Sequence, residues 1–88
     1  MSSQEMLKRH ADLVDRMAET LGLDLEEAMM RGQMQMDSLG DAVLRCTGCT
    51  QPETCESWLQ AQNGEVDGAP SYCRNSEMFD LLKAGKSV

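Results

Sequence analysis

The sequence predicts a small all-α fold, a single-domain bundle of about five short helices around a four-cysteine metal site. Three observations carry that expectation. Apolar residues recur at three- and four-residue spacing, and no segment alternates with a period of two. Gly, Pro and Asn fall where helices would start or stop. All four cysteines lie in two short stretches, "RCTGCTQPETCESWL" and "PSYCRN".

The first helix is predicted from Ser3 to Leu21, with Leu7, His10, Val14, Met17 and Leu21 on its inner stripe and Met6 and Leu13 widening it. Gly22 stops it. Asp24 and Glu27 form a D-x-x-E start for a short second helix through Arg31, which Gly32 ends. A third helix runs from about Asp37 to Arg45. Its inner face, Leu39, Ala42 and Val43, continues at the same spacing to Cys46.

The fourth helix begins at Pro52, a residue suited to the first helical position, and Asn63-Gly64 closes it. Cys55, Trp58 and Leu59 share one face of it. A polar loop from Asn63 to Ser71 follows, and Asn75 is placed to cap a last helix that buries Met78, Phe79 and Leu82. The 88 residues read as a single domain, 1–88, with a helical N-terminal half (1–45) and a cysteine-containing, metal-binding half (46–88).

Composition narrows the function. Fifteen acidic against eight basic residues give a net charge of −7, with no Lys/Arg cluster. Nucleic acid needs a basic footprint, so it is excluded as a partner, and so is an anionic membrane surface. The opening "MSSQEMLKRHADLVDRM" has charges every few residues and no apolar run for a signal peptide or a span. A cytoplasmic location follows, where thiols stay reduced. The aromatics are only Trp58, Tyr72 and Phe79, while methionines number eight. A core this soft gains much from a staple.

The cysteines follow C-x2-C-x5-C-x17-C. Cys46, Cys49, Cys55 and Cys73 are therefore the candidate cofactor and metal ligands. Four thiolates suit either tetrahedral zinc or an iron–sulfur cluster. Cys55 in the first turn of the fourth helix and Cys73 just before the fifth would feel positive helix ends, and Arg45 and Arg74 flank Cys46 and Cys73. A zinc ribbon would repeat C-x2-C with a glycine after its second cysteine. Here there is one C-x2-C, followed by Thr50. A 4Fe–4S cluster is favoured, zinc is the alternative, and disulfides or free thiols stay open.

C-x2-C-x5-C resembles the last three ligands of the cluster loop in helix-hairpin-helix DNA glycosylases. There the remaining cysteine lies upstream, whereas Cys73 lies downstream. The chain also lacks that family's DNA-binding and catalytic parts. Over nearly its whole length, with its RCxxCx5CxxWL … PxYCxN pattern and the segment "LGLDLEEAMMRG", the sequence is similar to a family of short bacterial proteins described as a domain of unknown function. The resemblance implies the placement of the four cysteines, and it carries no activity.

"CTGC" alone suggests a thioredoxin-like pair, but that chemistry follows a strand, and no strand is predicted. His10 reads as a hydrogen-bonded core imidazole, with a ligand or proton-relay role as the sharper reading. Met17, Met29, Met30, Met34 and Met36 read as gap-filling, though an exposed part of the Met29–Met36 segment leaves room for a protein partner. Trp58 reads as core that also shields the metal. No set of catalytic residues can be assembled, so the chain is not expected to be an enzyme. Electron transfer or redox sensing is the expected role, with a structural zinc interaction module as the rival.

Overall fold

In the computed structural model, which describes residues 3–88, the chain forms α1 (Ser3–Thr20), α2 (Leu25–Met30), α3 (Met36–Thr47), α4 (Pro52–Ala61) and α5 (Ser76–Lys83). No strand occurs among the described residues, as the missing period-two pattern predicts. The fold is small and all-helical.

α1, the longest helix, packs on α3 and α4. Its buried residues are His10, Leu13, Val14, Met17 and Ala18, followed by Leu21 just past its end. They stand at i, i+3, i+4, i+7, i+8 and i+11, one continuous stripe. Leu25 and Ala28 of α2, Met34, Ala42 of α3, Leu59 of α4, and Met78, Phe79 and Leu82 of α5 complete the core. Each fully buried Leu, Met or Phe side chain contributes about 1.5–3 kcal/mol of transfer free energy.

The expected stripe extended one turn too far toward the N-terminus. Met6 and Leu7 are 44% and 41% exposed. Leu7 borders an open groove against α3, where the facing surface includes Gly40, which has no side chain to close it. Two methionines read as gap-fillers are also outside, Met30 at 82% and Met36 at 73% exposure, while Met17 and Met34 are buried as expected.

Gly22 ends α1 in the left-handed region, at φ +78°. The Leu23 amide donates to the Ala18 carbonyl at 2.8 Å and the Gly22 amide to the Glu19 carbonyl at 3.0 Å, the paired bonds of a Schellman stop. A Cβ here would also run into the Glu65 side chain. The polar loop is tied to the same end: the Val66 amide donates to the Thr20 carbonyl, and Lys83 Nζ donates to the carbonyls of Leu21 and Val66. That ammonium sits where the helix dipole is negative.

The D-x-x-E start is realised, with Asp24 Oδ1 accepting from the Glu27 amide at 3.1 Å. α2 stops at Met30, so Arg31 is its cap rather than its last residue. α3 starts at Met36 and runs on through Thr47, taking Cys46 into its last turn. α4 ends at Ala61, before the expected Asn63-Gly64, because Gln62 turns extended and its side-chain amide donates to the Trp58 carbonyl.

Asn75 departs from its expected role. It stands at the N-cap position of α5, yet its side chain makes no capping bond. Nδ2 instead donates to the Ala42 carbonyl at 2.8 Å, and Oδ1 accepts from Arg45 Nε at 2.8 Å. Asn75 is 3% exposed, and a buried amide that can satisfy both ends on α3 has no reason to serve an exposed helix end instead.

Candidate metal centre

Each cysteine is delivered by a different local device. Cys46 lies half-buried in the last turn of α3, and two bonds, Gly48 amide to Arg45 carbonyl and Cys49 amide to Cys46 carbonyl, turn the chain back. The Gln51 amide donates to Cys49 Sγ at 3.4 Å. The Gln51 carbonyl accepts from the Cys55 amide at 2.9 Å, which opens α4 with Pro52 in its first turn. Cys55 lies on the buried face of α4 with Leu59. A turn closed by the Cys73 amide and the Pro70 carbonyl then presents Cys73 just before α5.

All four cysteines line one cavity of about 30 Å³. His10 and Leu13 of α1 form its far wall, and Pro52, Tyr72, Arg74 and Asn75 complete the lining. A void of this size has room for one or two water-sized occupants. All four stand as free thiols. Among the described residues, no group of three or more His, Cys, Asp or Glu side chains is arranged to hold a metal ion. The thiols surround the cavity without closing on a single point inside it.

The electrostatics run opposite to the expected support from helix ends and arginines. Burial pushes the Cys46 thiol from 9.0 to about 11, with further upward pressure from Cys55, Cys49 and Cys73. Burial also raises Cys55, reinforced by Cys73 and Cys49 and only partly opposed by Arg16. Cys73 is raised by burial as well, against the lowering effect of a hydrogen bond from the Asn75 backbone amide. The physical reason is burial first and the neighbouring sulfurs second, with too little positive charge to offset them. Arg45 is not the expected counter-charge, because its guanidinium is committed to Asn75 and Met78 Sδ. Arg74 does reach the site. A Cβ on Gly48 would meet Arg74 Nε at 3.5 Å, so that side chain crosses the Cys46–Cys49 turn.

Two residues matter more than the sequence suggested, and one matters less. His10 is a buried imidazole as expected, its Nδ1 2.8 Å from the Met6 carbonyl, yet it faces the cysteine cavity. A carbonyl can only accept, so Nδ1 is the donor in this bond. Tyr72 drew attention only as one of three aromatics. Its hydroxyl is buried without a hydrogen-bond partner, and it lines the same cavity. Its place beside Cys73 in "PSYC" was the one available signal. Trp58, expected to shield the site, packs half-buried against the core and is absent from the cavity wall.

No helix among the described residues is long and apolar enough to cross a membrane. No curated protein and no solved structure matches the chain. One family model does, over residues 1–85, which takes in every helix and all four cysteines. The chain belongs to the family of unknown function DUF6455.

Proposed function

We propose that Cys46, Cys49, Cys55 and Cys73 together ligate one metal centre, with a 4Fe–4S cluster favoured, in a small non-enzymatic protein that transfers electrons or senses redox state. The observation that carries this reading is convergence: thiols from three separate segments line one small cavity. The amide donors on Cys49 and Cys73 add to it, since bonds from Gln51 and Asn75 are of the kind that stabilise charged sulfur. The burial that favours the neutral form of Cys46, Cys55 and Cys73 leaves a demand for positive charge, which a metal centre would meet as the thiols lose their protons.

Four thiols around tetrahedral zinc sit about 3.8 Å apart, from Zn–S bonds near 2.3 Å. The preference for an iron–sulfur unit comes from the single C-x2-C-x5-C run, which lacks the repeated C-x2-C of a zinc ribbon. Such a cluster, when bound, supplies a reversible electron. The chain's own residues hold it, donate to its sulfurs, and keep water out along the α1 wall. The cysteine pattern shared with the family, the cytoplasmic setting and a protein partner belong to the same proposal. With a net charge of −7, that partner is neither nucleic acid nor an anionic membrane.

One observation favours the second reading, a structural zinc in an interaction module: the cavity is only about 30 Å³. Anaerobic purification separates the two. Brown protein with a broad visible band and iron matched by sulfide is the expected result. Colourless protein with one zinc per chain selects the zinc module, and metal-free protein that takes up neither overturns both.

A further inference from the structure

We infer that the Tyr72 hydroxyl donates a hydrogen bond to a sulfur of the four-cysteine centre, making Tyr72 a positioning residue for the metal. The inference rests on the proposed centre and goes beyond it by naming a residue outside the ligand set.

The hydroxyl is shut away from solvent and has no hydrogen-bond partner. A buried hydroxyl left unpaired costs about 1–3 kcal/mol, so an acceptor that forms in the cavity beside it recovers that cost. The polar atoms facing it across the cavity are few. The His10 imidazole is one of them, but its Nδ1 is already engaged with the Met6 carbonyl. That leaves the cysteine sulfurs around the same cavity. A neutral thiol is a weak acceptor, whereas a metal-bound thiolate is a good one. The missing partner therefore arises when the thiols lose their protons to a metal.

A tyrosine hydroxyl is a hydrogen-bond donor at neutral pH. The amides of Gln51 and Asn75 already serve Cys49 and Cys73. Tyr72 would be the one side-chain donor in that set. A donor to cluster sulfur favours the more reduced, more negative state, and so raises the reduction potential.

The test compares wild type with Tyr72→Phe in the full chain. Both are titrated with Co²⁺, which reports thiolate ligation by its charge-transfer band, and both are reconstituted anaerobically with ferrous iron and sulfide. The variant should fold and load. Its apparent Co²⁺ affinity should fall roughly 10-fold, the usual scale for losing an outer-shell partner. Its charge-transfer band should shift, and any cluster should become harder to reduce. Without metal, the variant should melt at or above the wild-type temperature, because an unsatisfied hydroxyl has been removed. Equal Co²⁺ affinity with an unmoved band overturns the hydrogen bond while leaving the centre intact. A metal-free variant that melts lower shows that the hydroxyl serves the fold instead, and overturns the inference too. A wild type that takes up neither Co²⁺ nor iron and sulfide removes the centre itself, and this inference with it.

Discussion

Asn75 Oδ1 accepts from Arg45 Nε at 2.8 Å, so the residue two after the last cysteine is bonded to the residue just before the first. With its second bond, to the Ala42 carbonyl, Asn75 closes the loop between Cys46 and Cys73 through protein atoms alone. Asn75→Ala should destabilise the metal-free protein by about 1–3 kcal/mol, from the two lost bonds. Urea denaturation measures this. Asn75→Asp keeps the Arg45 partner but sets an acceptor against the Ala42 carbonyl, so it should lose stability too. An Asn75→Ala protein of unchanged stability would mean that this tether contributes nothing.

The cysteine series addresses the ligand set. Each of Cys46→Ser, Cys49→Ser, Cys55→Ser and Cys73→Ser should lower bound metal severalfold, measured by elemental analysis after anaerobic purification. Cys55→Ser should also cost stability without metal, because Cys55 is a 9%-exposed member of the core and a hydroxyl there is poorly solvated. If Cys73→Ser keeps full metal, the cavity is shared by three ligands rather than four.

Metal-free and metal-loaded protein should respond to pH in opposite directions. Burial and the neighbouring thiols raise Cys46 from 9.0 to about 11. A group raised by the fold stabilises it fully below its unfolded value, and that contribution is lost as pH climbs through the folded value. Metal-free protein should therefore lose stability between about pH 9 and pH 11, and Cys55 and Cys73 shift the same way. Metal binding requires deprotonated thiols, so the loaded form should weaken toward acid instead. Denaturant midpoints across pH for both forms check the crossing. Parallel curves would mean that metal does not engage these sulfurs.

Removing the metal should loosen the two halves unequally. α4 commits only Cys55 and Leu59 to the core, and the stretch from 62 to 73 is held by few backbone bonds, chiefly those of Val66 and Cys73. Hydrogen exchange after chelation should show these amides losing protection first, while the middle of α1 keeps its own. Uniform loss would instead identify one cooperative unit.

Gly22→Ala probes the other end of the molecule. It forces a Cβ into the left-handed region and against Glu65. A cost of about 1–2 kcal/mol is expected, with metal content unchanged. A thermal melt combined with metal analysis decides this.

Much of the fold was legible because its signals are local. The α1 stripe, the Gly22 stop and the Asp24 cap depend on neighbours within one or two turns. What escaped depends on distant partners. Nothing in the sequence near Asn75 says that its amide will reach Ala42, 33 residues away. Leu7 looks identical to Val14 in periodicity, and only the groove beside Gly40 explains its exposure. The four cysteines were legible as candidates. The rise in the thiol pKa of Cys46, Cys55 and Cys73 was not, because it comes from burial that spacing does not encode. Tyr72 and His10 escaped for the same reason, as membership of a cavity wall is a property of three dimensions.

The α1 wall of the cysteine cavity has a consequence for portability. Residues 46–75 carry every thiol, and on paper they make a self-contained cassette for grafting onto another scaffold. The cavity's far side, however, is His10 and Leu13, and the anchor for its last turn is the Ala42 carbonyl. A transplanted cassette would keep the sulfurs but leave both behind, opening the site to water and freeing the spacing between its first and last thiol. The site is thus inherited whole or not at all, and a homologue that has lost α1 has lost the chamber even if every cysteine survives.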